Sequence, residues 1–226
     1  MELQEELERL LKCEEIKWFQ KSREEWITSG DRNTRFYHLK CKMRRRRNRI
    51  MALKDEGNRW IDDEEELKQL VVRYFKGLFS DDSDQTGLLS TDSSFPAIDG
   101  FVGRNFASVP DDLEIKRALF SMGNFKAPGV DGYPPIFFKN NWDTVGPSLC
   151  AFVRGVFQGN SSLGVANQTL ISLIPKRDRP ELVSHFRPIS LCSVHYKCVT
   201  KLITKRLKGV LNDLISPFQA SFIKGK

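Results

Sequence analysis

Apolar residues recur at the spacing of an α-helix at the start of the chain. The stripe comprises Leu3, Leu7, Leu10 and Leu11. It predicts an amphipathic helix over residues 1–29, which Gly30 would end. We expect this helix to pack on the same chain, and the stripe leaves coiled-coil pairing open as the alternative.

Similar patterns predict further helices and one small hairpin. The helices are predicted over residues 33–46, 63–79, 110–122, 134–141, 144–158 and 194–211. Asp31 and either Asp62 or Asp63 are expected to cap two of them. The third helix has an apolar stripe of Leu67, Leu70, Val71, Tyr74, Phe75 and Leu78. A break is expected near Gly146 and Pro147, and residues 49–61 alternate as a hairpin does.

A strand-loop-strand unit is predicted over residues 167–191. Its β-rich apolar run ends at Pro175, because proline has no N–H to donate to a sheet ladder. Lys176 follows at once, and after a charged loop Arg187 precedes Pro188, which keeps the returning segment extended. Two cations at the mouth of one such unit suit a polyphosphate. Ordinary solvated loop charge is the alternative that spacing alone leaves open.

Residues 126–132 read KAPGVDG, and the glycines and proline predict a structured loop. Asp131 precedes Gly132, a pairing typical of a turn former rather than of a catalytic acid. His195 is expected to lie at the surface or at a helix cap, and no chemistry is assigned to it.

The positive charge is concentrated in one segment. The chain has a net charge of +7, while residues 16–50 hold twelve Lys or Arg against three acids, which gives +9 and leaves −2 for the rest. The densest run comprises Lys40, Lys42, Arg44, Arg45, Arg46, Arg47 and Arg49. Contact with a nucleic-acid backbone is the functional interpretation, because phosphate contacts release counterions. A solvated helix face or a nuclear import signal also fits such a run.

Composition narrows the class of protein. At 226 residues and 40% hydrophobic content, the chain can build a core. Its five cysteines form no C-x-x-C pair, so they predict neither a zinc site nor a disulfide framework. There is no signal sequence and no apolar run of membrane-spanning length, so we expect an intracellular protein of the nucleus or cytoplasm with no membrane partner.

Five motifs together resemble a known family. In chain order they are KSREEWITSGDRNTRFYH at 21–38, KAPGVDG at 126–132, NQTLISLIPK at 167–176, FRPISLCSVHYK at 186–197 and KRLKGVLNDLISPFQASFIKGK at 205–226. This order resembles the opening blocks of LINE-type non-LTR retrotransposon reverse transcriptases, particularly those of plants. Val130 stands where the family usually has a second proline.

The resemblance implies an α+β fold and three parts. Residues 1–79 would be a basic helical pre-polymerase segment with a small hairpin, residues 80–109 a linker, and residues 110–226 the fingers and the start of the palm. The sheet of the palm would be incomplete, with helices around it.

The resemblance also implies site residues and partners. Lys176 and Arg187 would contact the triphosphate of an incoming deoxynucleotide, and RNA and DNA would be the other partners. The aspartates that hold two Mg²⁺ ions in such polymerases lie further along the family's sequence, so no catalytic or metal-binding residue is assigned here. The Mg²⁺ would belong to the intact RNA-directed DNA polymerase, and this stretch alone is expected to be inactive.

Two alternatives come from other classes. The chain could be a non-catalytic nucleic-acid-binding protein retained for its basic helix. It could also be a decayed reading frame without a role.

Overall fold

The computed structural model describes residues 2–22, 34–80, 106–211 and 215. The chain divides into two compact units, one formed by residues 1–84 and 173–189 and the other by residues 85–172 and 190–226. Helices predominate over two small antiparallel sheets, which confirms the α+β class. The three-part division at residues 79 and 110 stays a prediction, and most of its linker, residues 81–105, lies outside the described residues.

The first unit begins with two helices that pack on each other. Helix α1 spans Glu2–Ser22 and helix α2 spans Thr34–Asn48, whereas the predicted cap Asp31 lies outside the described residues. Tyr37 and Cys41, one turn apart on α2, are buried. Phe19 of α1 meets Tyr37 edge to face, with 5.8 Å between the ring centroids.

The leucine stripe of α1 does not take part in this packing. Leu3 is 89% exposed, and Leu7 and Leu10 are each more than half exposed. Helix α1 therefore packs on the same chain, as expected, but it does so through aromatic residues near its C-terminal end and not through the leucine stripe.

A short hairpin and a capped helix follow. Strands β1, Leu53–Lys54, and β2, Trp60–Ile61, pair antiparallel. Helix α3 spans Glu64–Phe79, and the Asp63 carboxylate accepts hydrogen bonds from Glu65 N and Glu66 N, both at 3.0 Å. This confirms the predicted hairpin and cap.

The predicted stripe of α3 is only partly buried. Phe75 is in the core, with Leu67, Leu70 and Val71 packed against it. Tyr74 and Leu78 are exposed, because the core of this unit is small and reaches only one side of the helix.

Strands β3, Leu170–Pro175, and β4, Phe186–Leu191, form the second sheet. Between them the chain makes a loop and a single 3₁₀ turn, Val183–His185. The core of the first unit combines this turn with the hairpin. Its buried members are Leu53, Phe75, Val183 and Phe186. Residues far apart in the chain thus share one apolar cluster.

The second unit is helical. Its helices are α4, Asp112–Phe120; α5, Pro135–Asn140; α6, Trp142–Phe157; α7, Leu163–Ala166; and α8, Val194–Lys208. Their core includes Ile115, Leu119, Leu149, Val153, Val199 and Leu202, each nearly inaccessible to solvent. Among the helices that the structure describes, none is long and apolar enough to span a membrane.

The break expected near Gly146 and Pro147 is wrong. Pro147 lies inside α6, and the chain instead turns at Asn141 between α5 and α6. Pro147 has no N–H to donate to the Asp143 carbonyl oxygen. Both residues are exposed, so water can donate to that oxygen instead. Gly146 packs on the ring of Trp142, where an added Cβ would lie 2.8 Å from Cε2.

The loop 126–132 is held against the start of α8. Tyr133 N donates to Asp131 Oδ1 at 3.2 Å, which confirms the turn-forming role of Asp131. Lys197 Nζ donates to the Ala127 carbonyl oxygen at 2.5 Å. Gly129 is buried against the backbone, and an added Cβ would lie 2.7 Å from the Cys192 carbonyl carbon and 2.8 Å from Ser193 Cα.

We expect Gly129→Ala to lower the free energy of unfolding by about 1 to 3 kcal/mol, because backbone atoms cannot move aside for the methyl group. Gly123→Ala is the matched control, since its Cβ would meet only the flexible Lys126 side chain, at 3.6 Å. Its effect should stay within about 0.5 kcal/mol. Urea denaturation followed by circular dichroism measures both, and equal stabilities for the two variants would contradict the tight contact at Gly129.

Candidate functional site

Lys176 and Arg187 lie at the loop end of the β3–β4 unit. Lys176 N donates to the His185 carbonyl oxygen at 2.8 Å, which pairs the two strand ends. Pro175 and Phe186 are buried. The residues that follow them in the sequence, Lys176 and Arg187, are exposed. Lys176 lies just past the end of β3 and Arg187 lies near the start of β4, so both cations are exposed at the loop end of this sheet.

The ammonium group of Lys176 is partly engaged. Its Nζ donates to the Ser184 carbonyl oxygen at 2.7 Å. An ammonium has three donors, so two remain for an anion. The Arg187 side chain donates no hydrogen bond to another residue that the structure describes.

The loop between these cations is fastened to the β1–β2 hairpin. Lys54 N donates to the Glu181 carbonyl oxygen at 2.7 Å, and Lys54 Nζ donates to Glu181 Oε2, also at 2.7 Å. The hydrogen bond from Lys54 holds the pKa of Glu181 below its usual value. Val183, from the same loop, is buried beside Leu53. These contacts hold the loop in a defined conformation, so it does not extend freely into the solvent.

The sequence also predicts that Lys176 and Arg187 converge on one pocket bordered by the loop 126–132, and this stays a prediction. Lys176 and Arg187 belong to the first unit, whereas residues 126–132 belong to the second. The structure describes each of them within its own unit.

Part of the basic run forms one exposed face of α2. Lys42, Arg45 and Arg46 follow helical spacing on α2 and are exposed, and Arg49, just past the end of the helix, is exposed as well. The remaining cations of the run have partners within the unit. Arg44 donates to the Lys21 carbonyl oxygen at 3.3 Å, Arg47 forms an ion pair with Asp178 at 3.2 Å, and Lys40 lies over the ring of Phe36.

Two further cations lie beside the basic face, and the sequence pattern did not assign them to it. Arg35 lies on the wall of the shallow groove that also exposes Lys42 and Arg45, and Lys21 of α1 lines the neighbouring groove with Arg49. Arg35 precedes Lys42 by seven residues, so a helical projection of 33–46 could have found it. Lys21 could not be found this way, because it reaches the surface from another helix.

The aromatic residues beside the basic face pack internally. The ring of Trp18 meets His38 on one side, at 3.5 Å between centroids, and Lys21 Nζ lies 5.0 Å from the same ring. Both neighbours cover surface that a stacked base would need, which favours the packing role over base stacking.

His195 is only partly exposed, at the start of α8, which corrects the expectation of a surface or cap position in part. Its ring is half-buried and meets Phe138 and Phe152 edge to face, at 5.4 and 5.5 Å. Burial lowers the pKa of His195, and the Asp131 charge opposes that shift. The residue packs against Phe138 and Phe152 at the start of α8, where sequence periodicity could not distinguish it from a cap.

The buried thiols are poor nucleophiles. Burial raises the pKa of Cys150 to about 11 and that of Cys198 to about 12. Within the described ranges, no three His, Cys, Asp or Glu side chains form a group that could hold a metal ion. The Mg²⁺ expectation concerns the intact enzyme and stays a prediction.

Comparison with known proteins identifies one relevant similarity. No protein-family model matches the chain. The chain is 30% identical to the "Transposon TX1 uncharacterized 149 kDa protein" of Xenopus laevis over 214 residues, which cover 92% of this chain and 16% of that protein. This similarity supports a transposon-derived protein. The chain spans about a sixth of the length of the curated relative that it matches.

The similarity to the transposon protein includes both candidate surfaces. A single continuous match over 92% of the chain leaves at most 8%, or about 18 residues, beyond either end. The basic face and the loop 176–185 both lie further than that from the ends. Both candidate surfaces therefore fall within the region that is similar to the transposon protein.

Proposed function

We propose that the chain is part of a LINE-type non-LTR retrotransposon reverse transcriptase, of the plant-like kind that its motifs resemble. In this proposal it contributes RNA or DNA contacts through α2 and contacts with an incoming deoxynucleoside triphosphate through Lys176 and Arg187. The observation that carries the proposal is that these two cations are both exposed at the loop end of one fastened strand-loop-strand unit.

The chemistry of the loop suits a triphosphate. An arginine can give two parallel hydrogen bonds to phosphate oxygens, and a lysine adds a compact charge. Here the lysine is oriented by its bond to the Ser184 carbonyl oxygen, and its remaining donors face outward. Less conformational freedom is then lost on binding than a mobile loop would lose. Mg²⁺ belongs to the proposal for the intact enzyme, and no residue of this chain is assigned to it.

The exposed face of α2 supports nucleic-acid contact. Its cations have no neighbouring acids on the same helix, since α2 has no Asp or Glu. A uniform positive face attracts a phosphate backbone without regard to sequence. This proposal fits the nucleus or the cytoplasm, where RNA and DNA are available.

The basic face gives the first test. The triple change of Lys42, Arg45 and Arg49 to Ala should weaken binding of a single-stranded RNA and lower the log-log salt slope by roughly 2, at about 0.7 per lost contact. Filter binding across a salt series measures this.

The matched control changes Lys12, Arg73 and Lys76 to Ala, which removes the same charge from exposed positions on α1 and α3. The control should keep the wild-type slope. If both triple variants lower the slope equally, net charge explains the binding and α2 is not the site.

The triphosphate site gives the second test. Arg187→Ala should weaken binding of a deoxynucleoside triphosphate about tenfold or more, because a charge-assisted hydrogen bond contributes about 1.5 to 3 kcal/mol. Isothermal titration calorimetry with Mg²⁺ present measures the affinity.

Arg177→Ala is the matched control, since Arg177 is an exposed cation of the same loop. An equal loss in both variants would indicate diffuse loop charge. No triphosphate affinity in the wild type, together with intact RNA binding, would favour the non-catalytic nucleic-acid-binding alternative.

A further inference from the structure

One side chain holds the loop 176–185 together from inside. His185 Nδ1 accepts hydrogen bonds from two backbone groups, Glu181 N at 3.1 Å and Leu182 N at 3.2 Å. The backbone of His185 adds two more bonds. Its N–H donates to the Leu182 carbonyl oxygen at 3.0 Å, and its carbonyl oxygen accepts from Lys176 N.

These bonds join the parts of the loop that matter for the proposed site. Glu181 is the residue fastened to Lys54 of the hairpin, and Lys176 is the first candidate cation. Arg187 follows His185 by two residues on β4. The conformation of His185 thus sets how the ends of the loop lie relative to each other.

Only the neutral imidazole can make both Nδ1 contacts. Two N–H groups point at Nδ1, so this nitrogen must offer a lone pair. A protonated imidazole would direct an N–H at two other N–H groups, and the contacts would become repulsive. The neutral form with its proton on Nε2 is therefore part of the folded loop.

The surroundings favour that neutral form. Burial lowers the pKa of His185, and the charges of Arg177 and Lys176 lower it further, while Glu181 opposes them. Glu181 is itself paired with Lys54, the cation that reaches the loop from β1. The two N–H donors act in the same direction as the burial.

We propose that His185 is a positioning residue, whose neutral imidazole holds the loop 176–185 in the conformation that aligns Lys176 and Arg187. The alignment for a triphosphate rests on the proposed function, whereas the closure of the loop by His185 does not. Protonation of His185 should open the loop.

The lowered pKa of His185 determines how the stability of the closed loop changes with pH. The folded loop disfavours the proton, so the stabilisation is complete above the usual histidine pKa of about 6.5 and is lost as pH falls through the lower folded value. Amide hydrogen exchange of Glu181 and Leu182, followed by NMR on the full chain, reports this opening directly.

Asparagine provides a matched variant. The Oδ1 atom of Asn lies on Cγ, as Nδ1 of histidine does, and it accepts hydrogen bonds without titrating. In His185→Asn, protection of the two amides relative to intrinsic exchange should change little between pH 7.5 and 5. In the wild type it should fall at the acid end, and in His185→Ala it should be low throughout.

Equal acid responses in the wild type and His185→Asn, or unchanged protection in the wild type, would overturn the proposal. This comparison decides the matter even if His185→Ala does not fold.

A second readout separates this inference from the proposed function. Triphosphate affinity of the wild type, relative to His185→Asn at the same pH, should fall about three- to tenfold on going from pH 7.5 to 5. The comparison at equal pH cancels protonation of the phosphate itself, which occurs near pH 6. If no variant binds triphosphate at either pH, the proposed function fails, while the amide exchange still decides whether His185 closes the loop.

Discussion

The fastening of the loop 176–185 to the β1–β2 hairpin is the interaction on which the first unit depends. Lys54 and Glu181 are separated by 127 positions in the chain, yet they share a backbone and a side-chain hydrogen bond. Leu53 and Phe186 become inaccessible to solvent at this junction. Burying each such side chain contributes about 1.5 to 3 kcal/mol, whereas a partly exposed ion pair contributes at most about 1 kcal/mol. The apolar contact therefore stabilises the junction, and the polar bonds set its register.

This junction belongs to the same unit as both candidate binding surfaces. The basic face of α2 and the loop both belong to the first unit, and Arg47 of α2 forms an ion pair with Asp178 of the loop. Within the proposed function, nucleic-acid backbone and nucleotide would be bound by the same compact body. The second unit contributes its own helical core and the loop 126–132, in which Gly129 is buried. The similarity to a transposon protein spans both units.

Local features could be predicted from the sequence, and long-range packing could not. Asp63 caps a helix and Asp131 forms a turn because short side chains bond nearby N–H groups, which is readable from a few residues. Pro175 ends a strand for an equally local reason. In contrast, the exposure of Leu7, the burial of His195 and the continuity of α6 through Pro147 depend on which partner surfaces are present. No periodicity encodes that Glu181 meets Lys54.

Hydrogen–deuterium exchange of the full chain tests the central claim most directly. The chain is measured alone, with a single-stranded RNA, and with a deoxynucleoside triphosphate and Mg²⁺. The account predicts that RNA slows exchange in peptides of α2, residues 34–48, and that the triphosphate slows exchange in residues 176–187. Protection confined to the second unit, or no change with either ligand, would contradict the assignment of both surfaces.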